Sequence, residues 1–112
     1  MGVMTGFSIV LVTLPSVEKA AELARTLVEE RLAACGNILP GVRSIYSWEG
    51  RVQDEQEVLL ILKTASSSFD ALRQRVASLH PYSCPEVISL EITEGHAPYL
   101  EWIRQNVGPL GR

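Results

Sequence analysis

Cysteine is scarce in this sequence: there are two in 112 residues, Cys35 and Cys84. They stand far apart and form no CxxC pair, so a zinc knuckle or redox dithiol is not expected. A small secreted domain usually carries more, which points to a reducing, cytoplasmic setting. Aromatic residues are few, at 6%. Basic charge is not in excess, with ten Lys and Arg against thirteen Asp and Glu and a net charge of −3. A dedicated nucleic-acid binder needs a basic face, so nucleic acid is not an expected partner. Long hydrophobic runs are missing too. The longest, Val58 to Leu62, is far too short to cross a bilayer. Met1 to Gly6 has no basic stretch leading an apolar one and does not read as a signal peptide. Gly6 stands where a myristoylation signal wants Ser or Thr. No membrane partner is expected. Nor is there a GxGxxG, a Walker A or an HExxH pattern, or a GxSxG elbow. The expectation is a protein that is not an enzyme.

What is present is an ordinary globular composition, 46% hydrophobic and 21% charged. The length fits one domain over residues 1–112, with its core from about residue 7 to 107. So short a chain buries a modest share of its surface, and oligomerisation is a natural way to add core.

Phe7 to Leu14 is apolar on both faces and fits a central strand, ended by Pro15. Ser16 is a plausible N-cap. Ala20, Leu23, Ala24, Leu27, Val28 and Leu32 recur at helical spacing, and Gly36 is the expected stop. Asn37 to Trp48 reads as a long strand interrupted near Pro40-Gly41. Val42, Ser44, Tyr46 and Trp48 share one of its faces. Glu49-Gly50-Arg51 turns the chain, and Val52 to Thr64 returns. Ser66 to Ser68 opens a second helix with Phe69, Leu72, Val76 and Leu79 on its apolar face. Val87 to Thr93 is the fourth strand. Pro98 starts a last short helix that carries Tyr99, Trp102, Ile103 and Val107 on one side.

The order βαββαβ plus a C-terminal helix is an α+β, ferredoxin-like pattern with a four-stranded antiparallel sheet. At about 3.3 Å per residue, a dozen-residue hairpin reaches roughly 40 Å. The radius of gyration expected of such a domain is only about 13 Å. The hairpin tip should therefore overhang its own core, and a second copy of the chain is the economical cover.

Between the second helix and the fourth strand lies His80-Pro81-Tyr82-Ser83-Cys84-Pro85-Glu86. Its prolines stiffen a connector bearing an imidazole, a phenol, a thiol and a carboxylate.

Five motifs occur in order: Ala33-Ala34-Cys35-Gly36-Asn37, Ser44-Ile45-Tyr46-Ser47-Trp48-Glu49-Gly50, Lys63-Thr64, His80-Pro81-Tyr82-x-x-Pro85-Glu86 and Tyr99-Leu100-Glu101-Trp102-Ile103. Together, from Phe7 to Val107, they resemble the CutA family, the divalent-cation tolerance proteins. The resemblance implies a ferredoxin-like subunit and a homotrimer similar in plan to the PII signalling proteins. It also implies a cytoplasmic role tied to copper and other divalent ions, without an established catalytic activity. In some bacterial members the proposed copper ligands are a cysteine at the position of Val12, a histidine at that of Leu79 and the histidine matching His80. Of these, this sequence keeps His80 alone.

His80, Cys35 and Cys84 are the candidate metal ligands, for copper or another divalent cation, and no cofactor is required. The bland alternatives are a histidine bonding free carbonyls at a helix C-terminus and a small buried cysteine at a helix end. Cys84 lies four residues after His80, close enough in sequence to converge with it. Tyr46 and Trp48 suit packing between copies or stacking on a flat ligand. Glu57 and Lys63 share a strand face and read as a charged pair, within or across subunits, or as a contact to an anionic ligand. Tyr82, Glu86, Lys63 and Trp48 are candidates for an inter-subunit cleft, and Trp102 for the interface. The alternative function is a PII-like sensor binding a metabolite or nucleotide at that cleft. An RNA-recognition motif is excluded, because Glu57 to Lys63 has neither aromatics nor a basic run. An acylphosphatase-like enzyme needs an Arg-bearing anion loop where this chain has Leu14-Pro15-Ser16.

Overall fold

A computed structural model of the chain describes residues 5–109. The elements are β1 (Phe7–Leu14), α1 (Val17–Glu29), β2 (Cys35–Trp48), β3 (Arg51–Ala65), α2 (Phe69–Leu79), β4 (Val87–Glu91) and α3 (Ala97–Asn106), with a 3-10 turn at Ser66–Ser68 before α2. The strands form one antiparallel sheet in the order β2-β3-β1-β4.

Alternation along the strands divides the sheet into two unlike faces. Val10, Val12 and Leu14 of β1 and Val58, Leu60 and Leu62 of β3 point to one side. There they meet Ala20, Leu23, Ala24 and Leu27 of α1 and Leu72 and Val76 of α2, forming the main core. The opposite face carries Ile9 and Leu11 of β1, Leu59 and Ile61 of β3, and Ile88 and Leu90 of β4. Only α3 reaches it, at one end, where Ile103 and Val107 pack with Ala34, Phe7 and Ala65.

Ser16 caps α1 as expected, its hydroxyl accepting from the Lys19 N–H at 3.1 Å. The helix stops earlier than the apolar spacing predicts. Arg31 takes the left-handed conformation (φ 60°), and the N–H groups of Arg31 and Leu32 bond back to Val28 and Leu27. This is a Schellman stop made without glycine. The Arg31 guanidinium repays the strain by donating to the Gly108 and Gln105 carbonyls at 2.5 and 2.6 Å. Cys35 and Gly36 are therefore not the end of a helix. They begin β2, where Gly36 passes so close under Ala24 that a Cβ there would crowd it at 3.1 Å.

The two long strands run to fourteen and fifteen residues. Glu49 and Gly50 both have positive φ (51° and 77°), as a tight two-residue hairpin turn requires. A bulge at Pro40-Gly41, with Gly41 at φ 81°, shifts the register between Leu39 and Val42. Cys35, Asn37 and Leu39 thus share the open face with Val42, Ser44, Tyr46 and Trp48. Beyond Glu57 the hairpin leaves the helices behind, and Ile45 and Val52 are 65% and 76% exposed. The radius of gyration, 14.8 Å, exceeds that of a compact domain of this size.

Two smaller expectations need correction. Leu79 is exposed rather than part of the α2 core face, because the chain turns away at His80. β4 stops at Glu91, two residues short of Thr93. Ile103 of α3 and Val107 just past its end are buried, while Tyr99 and Trp102 stack on each other at 5.5 Å in the open.

Candidate functional site

The connector from His80 to Glu86 curls over the end of β1 and meets the root of the hairpin. Between them lies a cleft of about 740 Å³ on the open face of the sheet. Tyr46, Trp48, Glu55, Glu57, Tyr82, Cys84 and Glu86 are among its lining residues. β2 contributes the aromatics because the bulge turns them to this side. β3 contributes Glu55 and Glu57, two residues apart and so on one face.

Glu57 is the buried member, 8% exposed. The Tyr82 hydroxyl donates to its Oε2 at 2.9 Å. Burial and this carboxylate push the Tyr82 phenol well above its ordinary range. The Tyr46 hydroxyl donates to Glu55 in the same manner, and that bond raises Tyr46 from 10.0 to about 12. The cleft is thus acidic and aromatic, with no Lys, Arg or His in its lining.

His80 is nearly buried, and both ring nitrogens are occupied. Nε2 lies 2.7 Å from the Thr13 carbonyl, which can only accept. Nδ1 lies 3.1 Å from the Tyr82 N–H, which can only donate. Nε2 therefore carries the hydrogen, and no lone pair is left for a metal. The side chain bonds a carbonyl of β1, not the free carbonyls of its own helix. Its backbone N–H closes α2 on Val76. Cys84 is exposed at the cleft, and the His80 ring, with both nitrogens engaged, has none to share a metal with it.

Cys35 sits toward the other end of the open face, opposite Lys63. Lys63 donates to Asn37 and lies 3.9 Å from the Cys35 sulfur. Six residues of strand, roughly 20 Å, separate it from Glu57. The Glu57–Lys63 pair therefore does not form within one chain. Trp102 is also remote from the cleft, on α3. Among the described residues no three His, Cys, Asp or Glu side chains gather to hold a metal ion. Tyr46, Trp48, Glu57, Tyr82 and Glu86 line one cleft within the single chain. Glu55 was not anticipated, although its two-residue spacing from Glu57 was a readable signal.

Residues 8–106 match the family model described as CutA1 divalent ion tolerance protein. The chain belongs to this family. A Thermus thermophilus divalent-cation tolerance protein CutA is 53% identical over 100 residues, covering 89% of this chain and 97% of its own length. The solved Thermus thermophilus CutA1 structure superposes with a TM-score of 0.89 at 52% identity, over 91% of this chain and 99% of that one. A chloroplastic CutA protein of Arabidopsis thaliana is 48% identical over 88% of this chain. The chain spans about half of that plant protein, 54% of its length. Within the CutA1 family the α+β architecture with four antiparallel strands and three helices is shared.

Proposed function

We propose that the chain is the ferredoxin-like subunit of a cytoplasmic homotrimer that serves divalent-cation tolerance without catalysing a reaction. The observation that supports it best is the uncovered apolar sheet. Leu39, Ile88 and Leu90 are exposed beside half-buried Ile9, Leu11, Leu59 and Ile61. The hairpin extends this surface past the core. A continuous apolar face with open strand edges calls for a partner of the same kind. Light scattering of the purified protein should return three times the chain mass. A stable monomer at micromolar concentration would sink the trimer.

Copper or another divalent cation binds weakly in this reading, through Cys84 together with groups that meet between copies. Calorimetric titration of Cu(I) into the wild type and Cys84→Ser tests the thiolate, and equal affinities would remove it from the site.

A second reading is a small-molecule sensor of PII type. The cleft favours it, since its volume lies in the range that holds small ligands. A ligand seated there stabilises the folded protein by mass action, so a thermal-shift screen detects it.

A further inference from the structure

We propose that Cys35 and Lys63 form an oxidant-responsive pair, in which a peroxide joins the thiol and the amine through a reversible sulfur–nitrogen bond. This goes beyond the tolerance reading and does not rest on it.

The backbone holds the two side chains opposite each other. Cys35 and Lys63 are register partners in the β2–β3 ladder, so they leave the sheet on one face with Cβ atoms about 5 Å apart. The register is pinned on both sides of Cys35. The Ala34 N–H bonds to the Lys63 carbonyl at 2.8 Å, and Gly36 passes close under Ala24. Lys63 Nζ lies 3.9 Å from Cys35 Sγ. One oxygen, Asn37 Oδ1, accepts from both groups: from the ammonium and, at 3.8 Å, from the thiol. Tyr99 of α3 stands beside the sulfur; burial and then that sulfur raise its phenol. This is the end of the open face that α3 of the same chain meets, so the surroundings of the pair are set within one subunit.

Neither residue is accounted for by the usual partners. Lys63 is a half-buried cation directly after the apolar run Val58 to Leu62. Among the described residues no carboxylate lies within ion-pair distance of it. Its acceptors are a carboxamide oxygen and a sulfur, so no charge pair explains its position. Cys35 in turn has no second cysteine to resolve an oxidised state. The other free thiol, Cys84, stands at the cleft toward the opposite end of the sheet. An oxidised Cys35 therefore meets an amine before any thiol of its own chain.

The step balances with one peroxide per bond formed. The sulfur attacks the peroxide, an S–O bond forms, the O–O bond breaks and water leaves, giving a sulfenic acid. Lys63 Nζ gives one proton to solvent and attacks that sulfur. The S–N bond forms as the S–OH bond breaks, and the departing hydroxide takes a second proton from the nitrogen. The sulfur loses two electrons and the peroxide gains them. The product is a sulfenamide, the kind of adduct that sulfenic acids form with backbone nitrogen. It removes the charge of Lys63 and frees Asn37. Two equivalents of a small thiol restore both side chains and leave as a disulfide.

The test treats the intact protein with hydrogen peroxide, then digests it for mass spectrometry. A peptide pair joined through Cys35 and Lys63, lighter by two hydrogens than its parts, should appear and should vanish with dithiothreitol. Unfolding in urea before oxidation should abolish it, because the register supplies the proximity. Lys63→Arg keeps the charge but offers a guanidinium that stays protonated. In that variant dimedone, which traps sulfenic acid, should label Cys35 at least about fivefold more than in the wild type. Cys84 in the same digests is the reference thiol, with equal labelling in both proteins. Equal labelling of Cys35 in the two proteins would overturn the proposal. So would a wild-type Cys35 that runs on to sulfinic acid with no joined peptide, or one still reduced when Cys84 is fully oxidised.

Discussion

His80 joins three segments with one ring: it ends α2, bonds the Thr13 carbonyl of β1 and receives the Tyr82 N–H that starts the connector. Replacing it with alanine leaves two nearly buried backbone groups unpaired, a loss of about 2 kcal/mol in urea denaturation. Copper affinity should be unchanged in the same variant, because neither nitrogen is free. Tyrosine chemistry gives a second expectation at this scale. All three phenols are raised: Tyr46 chiefly by its bond to Glu55, Tyr82 chiefly by burial and then by Glu57, Tyr99 chiefly by burial. A phenol raised in the folded state stabilises that state fully below its unfolded value of 10.0. The contribution is lost as pH rises through the folded values. Ultraviolet titration of tyrosinate should therefore lag well past pH 10.0, with Tyr46 appearing near 12. Glu55→Gln should bring Tyr46 back toward 10.0, and an unchanged titration would remove the carboxylate as the cause.

At the scale of elements, the bulge in β2 decides the chemistry of the cleft. Unbroken alternation from Cys35 would turn Tyr46 and Trp48 away from Glu55 and Glu57. One extra residue at Pro40-Gly41 reverses the parity and gathers aromatics and acids on one side. The start of β2 is equally constrained. A Cβ on Gly36 would lie 3.1 Å from the Ala24 Cβ and 3.3 Å from methyl groups of Leu60 and Leu62. Gly36→Ala should cost about 1–3 kcal/mol through overpacking between α1 and the sheet, read as a lower urea midpoint. The Arg31 stop explains why the motif at 33–37 opens a strand. A helical turn ending at Arg31 leaves just enough chain for Ala33 and Ala34 to enter the two cores before pairing begins.

At the scale of the whole molecule, α1 and α2 occupy one side of the sheet and leave the other, met by α3 only at one end, largely bare. Its exposed apolar residues and the 46 Å long axis are the features on which the proposed trimer rests. Ile61→Glu places a charge in the middle of that bare face. It should lower the mass measured by light scattering to that of one chain, while circular dichroism keeps its mixed α and β signature. A trimer that survives the substitution would mean that copies assemble through another surface.

Much of this protein is determined along the chain itself. Period-two and period-three-to-four apolar spacing, Pro15, the Ser16 cap, the Glu49-Gly50 turn and the proline pair around Cys84 act through near neighbours. They therefore specify element order and the overlong hairpin, as they do in the ordered family motifs. What only the tertiary structure decided depends on groups brought from distant places. Arg31 holds a left-handed turn because Gln105 and Gly108 lie beside it. His80 is a structural joint because Thr13 and Tyr82 take both of its nitrogens. Lys63 and Glu57 share a face yet stand too far apart to pair. The sign of the cleft likewise emerges only when Glu55, Glu57 and Glu86 face one space that no basic side chain lines. Spacing along a chain fixes direction and face, but distance across a sheet and the competition for each polar atom are settled by packing.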